Sequence, residues 1–322
     1  MGLVAKRDLI SVLDVAEDLR GILDEARNLK SWLRSGRVHE ALKSQSLAMI
    51  FEKPSTRTRV SFEVGMAQLG GTAINLNPQE LQLGRGETLE DTARVLSGYA
   101  AAILYRAKRH EAMVRLAQAA TVPVINGLDD LEHPCQIISD LFTIREAKGR
   151  LRGLKLAYVG DGNNVCNSLL LGCSLVGMDM AAACPPGFEP DAGILRKAEK
   201  IAMDQGSQID LGADPEKAVR GTDVVYTDVW ISMGMEGERG EREMAFRAYQ
   251  VNEELLKSAG KEAVVMHCLP AHRGQEITDD VLDGDRSLVW DQAENRLHVQ
   301  KALLIRLITG GFSTMEPTGT PI

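Results

Sequence analysis

Residues 155–183 read KLAYVGDGNNVCNSLLLGCSLVGMDMAAA, and this stretch decides the fold. Its two ends, residues 155–159 and 179–183, are short apolar runs of the kind that form buried strands. Residues 164–176, between them, have the length and the apolar content of a helix. A strand, a helix and a second strand in this order form a right-handed crossover, so the two strands are predicted to run parallel in one sheet.

The same alternation continues through most of the chain. Further apolar runs are predicted to be strands, and they are residues 46–51, 73–76, 101–105, 122–125, 223–227, 263–267 and 287–290. The other predicted helices are residues 55–69, 134–148, 191–205, 252–259 and 292–308. Strands that alternate with helices indicate an α/β fold of two domains, each a mainly parallel sheet with helices on both faces.

Length and composition agree with this organisation. The chain has 322 residues, which at roughly 150 residues per domain corresponds to two domains. We place the boundary near Gly149 and Gly153: residues 1–148, completed by the C-terminal helix 292–322, form one domain, and residues 149–291 form the other. A composition of 44% hydrophobic and 25% charged residues excludes a disordered chain, a collagen and a coiled coil. The formal net charge of -8 argues against nucleic acid or an anionic membrane as a partner.

The cysteines and the apolar runs predict a cytoplasmic protein. The five cysteines form no CxxC pair, and their odd number fits reduced thiols better than a disulfide framework. The chain contains no apolar stretch of about 18 residues, the length that a membrane-spanning helix requires. Residues 1–10 lack the continuous apolar run of a signal peptide.

A phosphate site is predicted at the carboxyl end of the strand 46–51, since open parallel sheets bind ligands at the carboxyl ends of their strands. Residues 54–58, PSTRT, open a helix directly after that strand. Backbone N–H groups and the positive end of the helix dipole would therefore combine with the hydroxyls of Ser55, Thr56 and Thr58 and with the Arg57 guanidinium. The plain alternative is that Ser55 only caps the helix and that Arg57 is solvated.

Other polar residues follow other predicted strands. Arg106 ends one strand, and His133, with Gln136, begins a helix. His133 can donate a hydrogen bond to a carbonyl oxygen, and Gln136 can accept one from an amide. Both features also have ordinary explanations, because an arginine at a strand exit is often a surface residue and a His-Pro pair is a common helix start.

Long motifs in the same order resemble those of one enzyme family, the aspartate/ornithine carbamoyltransferases. Residues 51–59, FEKPSTRTR, are similar to the family's carbamoyl phosphate signature, and residues 133–136, HPCQ, are similar to a second signature. Residues 82–87, QLGRGE, followed by DTAR at 91–94, resemble the loop that reaches into the active site of a neighbouring subunit. The resemblance extends over residues 8–310.

The second half of the chain indicates the ornithine branch of this family. Residues 228–234, DVWISMG, and 267–270, HCLP, resemble the ornithine loop and the catalytic motif of that branch. Residues 160–164, GDGNN, and 294–298, ENRLH, also fit its pattern. The aspartate branch instead has a basic segment, suited to a dicarboxylate, where HCLP stands here.

The resemblance implies transfer of a carbamoyl group from carbamoyl phosphate to the δ-amine of L-ornithine, which gives L-citrulline and phosphate. It implies catalytic roles for Cys268, Arg106, His133 and Arg57. The implied carbamoyl phosphate residues are Ser55, Thr56, Arg57, Thr58, Gln82, Arg106, His133, Gln136, Cys268, Leu269 and Arg296. The implied ornithine residues are Asn164, Asp228, Ser232 and Met233.

The resemblance also implies the partners. It calls for no cofactor and no metal. It also implies that two interdomain helices link the two α/β domains and that the active site lies between them. Because Gln82 would come from a neighbouring subunit, it implies a homotrimer or a multiple of trimers with shared sites.

Ornithine sets a chemical requirement for this reaction. An alkyl ammonium has a pKa of about 10, so only about one molecule in a thousand carries a free δ-amine at neutral pH. Reaching that form costs roughly 4 kcal/mol unless the site lowers the pKa. The resemblance implies that Cys268 contacts the δ-nitrogen and that Asp228 pairs with the α-amino group.

Several alternatives compete with these assignments. Cys268 and His267 can be structural residues of a buried strand, Met233 a loop anchor, and Asp228 a turn residue. Zinc binding by His267, Cys268 and His272 is disfavoured, because their spacing matches no common site.

Three other functions are alternatives for this sequence. A dinucleotide-binding dehydrogenase is disfavoured because Val165 stands where GxGxxG requires its third glycine, and no acidic residue ends the next strand. A non-catalytic protein of the same fold, and an enzyme for putrescine or another amine, are the remaining alternatives.

Overall fold

The computed structural model describes residues 5–77, 81, 86–232 and 236–312. The chain divides into two compact units: unit 1 comprises Met1–Phe142 and Asn295–Ile322, and unit 2 comprises Thr143–Glu294. Each unit is built on one parallel sheet. Within the described residues, no helix is long and apolar enough to cross a lipid bilayer.

Unit 1 contains a sheet of four strands. Its strands are β1 (Ser46–Phe51), β2 (Thr72–Leu76), β3 (Ala102–Arg106) and β4 (Val124–Leu128). Its helices include α1 (Leu19–Arg34), α2 (Arg57–Gln68), α3 (Leu89–Ser97) and α4 (His110–Ala119). The strand order is β2-β1-β3-β4, so the direction of winding reverses between β1 and β3. Such a reversal opens a crevice at the carboxyl ends of the two strands.

One hydrophobic core cluster of unit 1 includes residues of the sheet and of the helices α3 and α4. Ile50 of β1, with Ile103 and Tyr105 of β3, is fully buried and packs with Met113 and Leu116 of α4. All five residues of β3 are buried, which explains why this strand reads as a continuous apolar run until its last residue.

Unit 2 contains a sheet of five strands. Its strands are β5 (Lys155–Val159), β6 (Asp179–Ala183), β7 (Ile209–Gly212), β8 (Val224–Thr227) and β9 (Val264–His267). Its helices include α6 (Asn164–Val176), α7 (Ala192–Gln205), α8 (Pro215–Val219), α9 (Arg239–Phe246), α10 (Glu253–Leu256) and α11 (Asp279–Leu282). The order β7-β6-β5-β8-β9 reverses between β5 and β8, which again places a crevice after these two strands.

The stretch 155–183 folds as predicted, with the same bounds for β5, α6 and β6. Helix α6 is buried over residues 165–174, which accounts for its nearly continuous apolar sequence. It ends at Gly177, whose φ of 69° is left-handed and costs glycine little.

Two helices continue from one unit into the other. They are α5 (Pro134–Lys148) and α12 (Val289–Thr309), and the division between the units falls inside each of them. The predicted fold class is therefore confirmed: two parallel sheets with helices, and two helices that pass between the domains.

The prediction of a strand at residues 287–290 is wrong. Ser287 forms only an isolated bridge with Val265, and α12 begins two residues later, at Val289. The Ser287 hydroxyl accepts a hydrogen bond from the N–H of Val289 at 3.4 Å, which favours a helix start over a longer strand. The predicted helix 252–259 is shorter in the structure, where α10 covers Glu253–Leu256, and the short strand β7 was not predicted.

Candidate active site

The segment after β1 leads into α2 as the phosphate prediction requires. Arg57 is the first residue of α2 and Thr56 is its N-cap, but the Thr56 side chain makes no capping hydrogen bond. The alternative in which Ser55 caps this helix is therefore wrong, because the N-cap is one residue later. The carboxylate of Glu52 accepts a hydrogen bond from the N–H of Lys108 at 2.8 Å and so ties the segment after β1 to the segment after β3.

Thr58 connects α2 to the C-terminal helix. Thr58 is fully buried, and its Oγ1 accepts a hydrogen bond from Nη2 of Arg296 at 2.6 Å. Arg296 lies on α12 and is itself only 3% exposed. The first turn of α2 is thus joined to a buried guanidinium from a segment more than two hundred residues away in the sequence.

A cationic cluster forms where β1 and β3 end. Phe51 pairs with Arg106 across the sheet, so the two strands end at the same level. Burial lowers the pKa of His133 well below its ordinary value, and the positive charges of Arg296, Arg106 and Arg57 lower it further. His133 is therefore neutral at pH 7. We call Arg57, Arg106, His133 and Arg296 the cationic cluster.

The side-chain amide of Gln136 forms a hydrogen bond through its nitrogen. Gln136 lies in the first turn of α5, is 1% exposed, and donates from Nε2 to Oδ1 of Asp140 at 2.8 Å. Its Oε1 has no hydrogen-bond partner among the residues that the structure describes. A buried amide oxygen in this state is an acceptor for a ligand N–H group.

The segment that leads to His133 is held by Asp129, which the sequence analysis did not single out. Oδ1 of Asp129 accepts hydrogen bonds from the backbone N–H groups of Leu131 and Glu132, both at 2.8 Å. Oδ2 accepts one from Nδ2 of Asn126 at 2.9 Å and lies 2.7 Å from Nδ1 of His110. Hydrogen bonding to Asp129 raises the pKa of His110.

An acidic cluster forms in unit 2, where three strands end at one level. Val159 pairs with Thr227, and Thr227 pairs with His267. The residues that follow these strands are therefore brought together, although they are far apart in the sequence. They are residues 160–164 after β5, Asp228 after β8 and Cys268 after β9.

Asp228 is the centre of this cluster and is 6% exposed. Its Oδ1 accepts hydrogen bonds from the Cys268 thiol at 3.0 Å and from the N–H of Val229 at 2.8 Å. Its Oδ2 accepts one from Nδ2 of Asn163 at 2.8 Å. We call Asn163, Asp228 and Cys268 the acidic cluster.

Asn163, which was not among the predicted site residues, contacts Asp228, and the ornithine-binding role of its neighbour Asn164 stays a prediction. Oδ1 of Asn163 accepts from the N–H groups of Val165 and Cys166, at 2.9 and 3.2 Å, so this residue is also the N-cap of α6. Its N-cap position immediately before a predicted helix was the signal that could have identified it. Asn164 is the first residue of α6 and is half-buried.

His267 shapes the backbone beside Cys268. Its Nδ1 accepts a hydrogen bond from the N–H of Leu269 at 2.8 Å, and its Nε2 lies 3.1 Å from Oε1 of Glu276. Leu269 has a φ of 58°, a left-handed conformation that is strained for leucine and that these contacts support. The fully buried His267 thus has a structural role.

The zinc alternative does not match this arrangement. Ligand atoms of Asp228, His267 and Cys268 lie within 4.8 Å of one another, but His272 is not part of this group. Both ring nitrogens of His267 are already engaged with the protein.

Three further predicted residues lie next to the gaps in the described part of the chain or within them. Ser232 is half-buried and is the last described residue before a gap. Gln82 and Met233 lie outside the described residues.

The dinucleotide alternative fails on geometry. A Cβ atom placed on Gly162 would lie 2.2 Å from the backbone nitrogen of Pro190 and 2.3 Å from the carbonyl carbon of Glu189. This glycine is required because the chain's own backbone approaches it. In a dinucleotide site, the cofactor pyrophosphate makes that approach.

The fold and the two clusters define an α/β enzyme with polar residues gathered at the switch points of two parallel sheets. Residues 7–146 match the family model described as aspartate/ornithine carbamoyltransferase, carbamoyl-P binding domain. Residues 152–307 match the model described as aspartate/ornithine carbamoyltransferase, Asp/Orn binding domain. The chain belongs to the aspartate/ornithine carbamoyltransferase family, and the resemblance stated from the motifs is confirmed.

Individual relatives are similar over nearly their whole length. An ornithine carbamoyltransferase of Methanoculleus marisnigri is 54% identical over 97% of this chain and 100% of its own. An anabolic ornithine carbamoyltransferase of Pyrococcus furiosus is 54% identical over 96% of this chain and 98% of its own. The solved structure of ornithine carbamoyltransferase from Pyrococcus furiosus superimposes with a TM-score of 0.92 at 54% identity, covering 96% of this chain and 98% of that chain.

Proposed function

We propose that this protein is an ornithine carbamoyltransferase, which transfers the carbamoyl group of carbamoyl phosphate to the δ-amine of L-ornithine. The observation that carries the proposal is the contrast between the two clusters. In unit 1, the positive charges of three guanidiniums lower the pKa of one buried imidazole. In unit 2, a buried carboxylate accepts hydrogen bonds from a thiol and an amide. The first arrangement suits a phosphate, and the second suits a cationic amino acid.

Carbamoyl phosphate brings a phosphate group of high negative charge, which the cationic cluster and the start of α2 would bind. Guanidiniums hold phosphate by paired hydrogen bonds, and the first N–H groups of a helix add further donors. The proposed phosphate residues are Ser55, Thr56, Arg57, Thr58 and Arg106, with Gln82 supplied by a neighbouring subunit.

The carbamoyl group needs donors for its oxygen and acceptors for its NH2 group. Because His133 is neutral, it can donate one ring N–H to the carbamoyl oxygen, together with Thr58 and Arg106. Oε1 of Gln136 would accept a hydrogen bond from the NH2 group. This role is supported because Oε1 has no hydrogen-bond partner in the described part of the chain. The backbone carbonyls of Cys268 and Leu269 would accept the second N–H, and Arg296 would hold Thr58 in place.

Ornithine would bind through the acidic cluster. Asp228 accepts a hydrogen bond from the Cys268 thiol. The α-ammonium of ornithine would donate to the same carboxylate. Cys268 would then contact the δ-nitrogen, and Asn164, Ser232 and Met233 would hold the amino-acid end. A site that lowers the pKa of the δ-amine reduces the roughly 4 kcal/mol that deprotonation costs at pH 7.

The transfer itself balances without a covalent enzyme intermediate. The free δ-amine attacks the carbamoyl carbon and a C–N bond forms while negative charge develops on the carbamoyl oxygen. The bond from that carbon to the phosphate oxygen then breaks, and the nitrogen gives up its proton to the departing phosphate. Arg106, His133 and Thr58 stabilise the oxyanion, and one such donor typically contributes about a hundredfold to a thousandfold in rate.

A homotrimer, or a multiple of trimers, is part of the proposal. Unit 1 exposes large apolar side chains, and they are Val60, Val64, Ile74, Val95 and Tyr99. Strand β2 is also an edge strand of its sheet, a feature that proteins usually cover. Neighbouring copies would cover this surface and would bring Gln82 to the site.

Shared sites have a direct test. Arg57→Ala and Gln82→Ala proteins are each expected to be inactive, and a mixture is expected to regain activity once subunits exchange, because some sites then carry neither substitution. Exchange is verified separately by mass spectrometry of tagged chains. No recovery in a verified mixture would contradict sharing.

Location and direction complete the proposal. The five cysteines are free in the structure and four are buried, which fits a reducing compartment such as the cytoplasm. The same site would serve citrulline formation in arginine biosynthesis and its catabolic reverse. Relatives of similar identity carry both anabolic and catabolic in their names.

The experiment that tests the function compares three acceptors side by side. Purified protein with carbamoyl phosphate is expected to form citrulline from L-ornithine and to give little product with putrescine or aspartate. Putrescine keeps both amines of ornithine but lacks the α-carboxylate, and aspartate lacks the side-chain amine. Equal turnover of putrescine would contradict the proposed binding of the amino-acid end by Asn164, Ser232 and Met233, and turnover of aspartate alone would overturn the proposal.

A further inference from the structure

Arg242 is a buried arginine that neither cluster includes. It lies on α9 and is 5% exposed. Its Nη1 donates to Oδ2 of Asp161 and to the carbonyl oxygen of Trp230, both at 2.9 Å, and its Nε donates to Oε2 of Glu238 at 2.9 Å. Its guanidinium carbon also lies 4.9 Å from the centre of the Phe188 ring, within cation–π range.

The two main partners of Arg242 lie in the two segments that hold Asp228. Asp161 is two residues before Asn163, whose Nδ2 donates to Asp228. Trp230 is two residues after Asp228 in the segment that follows β8. A single guanidinium nitrogen therefore joins the segment after β5 to the segment after β8. The first segment contacts Asp228 through Asn163, and the second begins with Asp228.

The chemistry makes this link hard to replace. The side chains of Arg242 and Asp161 are 7% and 8% exposed, so removing Arg242 leaves a buried carboxylate without its partner. Removing Asp161 leaves the buried guanidinium with Glu238 as its remaining carboxylate partner. A lysine keeps the charge but cannot make the same set of planar, directional hydrogen bonds. Burial raises the pKa of Asp161 to about 6, and the positive charge of Arg242 opposes that rise.

We infer that Arg242 is a positioning residue for the amino-acid substrate: through Asp161 and Trp230 it fixes the two segments that orient Asp228, and it thereby sets the affinity for ornithine. The inference rests on the proposed function and deepens it, because it names a determinant of the amino-acid site that touches no substrate. Arg242 and the two segments that it joins belong to unit 2, and the proposed phosphate residues of this chain belong to unit 1, so carbamoyl phosphate binding is not part of this effect.

Three variants test the inference, with a matched control on the same helix. Arg242→Gln and Asp161→Asn each remove one partner, and Arg242→Lys keeps the charge. Arg239→Gln is the control, since Arg239 lies on α9 in an ion pair with Glu243, 3.5 Å away, and its side chain is 59% exposed. KM for ornithine, KM for carbamoyl phosphate and kcat are measured for each variant, with thermal unfolding as a check on folding.

Arg242→Gln is expected to raise the KM for ornithine about tenfold or more, because small displacements of a binding group have large effects. The KM for carbamoyl phosphate is expected to stay within about twofold. Arg242→Lys recovers part of the loss, Arg239→Gln behaves as the unaltered protein, and Asp161→Asn combined with Arg242→Gln is less than additive. If Arg242→Gln does not fold, Arg242→Lys and Asp161→Asn carry the test.

Two results would overturn the inference separately from the proposed function. If the unaltered protein forms citrulline but both KM values rise together in the variants, or neither changes, Arg242 is only structural and the inference fails. If the unaltered protein forms no citrulline, the proposed function fails and the inference fails with it.

Discussion

The cationic cluster of unit 1 and the acidic cluster of unit 2 occupy equivalent places in two parallel sheets, but they are built differently. Each lies where the strand order reverses, after β1 and β3 in one sheet and after β5 and β8 in the other. The cationic cluster uses three arginines and keeps its histidine neutral. The acidic cluster uses one carboxylate whose acceptor positions are filled by a thiol, an amide and a backbone N–H. One architecture therefore supports opposite electrostatics, because the chemistry resides in the loops and not in the strands.

The largest expected effect comes from removing a charge of the cationic cluster. Arg106→Ala is expected to lower kcat/KM by about a thousandfold, because it removes both a phosphate contact and an oxyanion donor. Steady-state kinetics with both substrates varied checks this. The matched control is Arg109→Ala, an arginine three residues later whose side chain is 72% exposed, and it is expected to change nothing. Similar losses in both variants would show that net charge matters, and not the cluster.

A smaller and more selective effect is expected in the acidic cluster. Asp228→Asn keeps the shape but removes the charge, so KM for ornithine is expected to rise about a hundredfold, consistent with loss of a partly buried ion pair. KM for carbamoyl phosphate is expected to stay nearly constant. Asp210→Asn, at a side chain that is 65% exposed, is the control. A rise in both KM values would contradict the separate roles of the two clusters.

The pH dependence separates the two clusters in another way. The pKa of His133 is lowered, so this residue stays neutral from pH 6 to pH 8 and adds no inflection. The δ-amine of ornithine has a pKa of about 10, so its reactive fraction grows about tenfold per pH unit over this range. We expect kcat/KM for ornithine to rise accordingly. A flat profile, in conditions where chemistry limits the rate, would rule out this deprotonation account.

The smallest effect concerns stability and compares two threonines that stand at N-caps. Thr88 accepts a hydrogen bond from the N–H of Asp91 at 3.1 Å, and Thr56 makes no capping hydrogen bond. Thr88→Ala is expected to lower the free energy of unfolding by about 1 kcal/mol. Thr56→Ala is expected to leave stability unchanged and to raise KM for carbamoyl phosphate. Chemical denaturation and kinetics measure the two effects, and equal destabilisation would refute a ligand role for Thr56.

The two clusters also differ in how far sequence reasoning reached. The start of the cationic cluster is one contiguous motif, residues 54–58, in which a strand, a helix start and a phosphate donor set coincide. The acidic cluster is assembled from three strand ends, and its member Asn163 was not predicted from the sequence. Adjacent asparagines look alike in a sequence, and only the structure shows that Asn163 is the N-cap of α6 and donates to Asp228.

Other features depended on contacts that local patterns do not encode. Gly162 belongs to a GxG pair that resembles a dinucleotide fingerprint, but the backbone at Glu189 and Pro190 occupies the space beside it. Arg242 stands in a charge-dense stretch of sequence, and it is nevertheless buried, where it donates hydrogen bonds to Asp161 and to the carbonyl oxygen of Trp230. Residues 287–290 are apolar enough for a strand, but a helix begins among them.

By itself the sequence determined the alternation of strands and helices, the two-domain α/β class and the family, because periodicity and contiguous motifs are local properties of a chain. Only the tertiary structure decided which side chains meet. Arg296 reaches Thr58 and Cys268 reaches Asp228 because parallel strands end at one level and a C-terminal helix returns to the first unit. Such meetings depend on register and strand order, and these are set by the packing of the whole sheet.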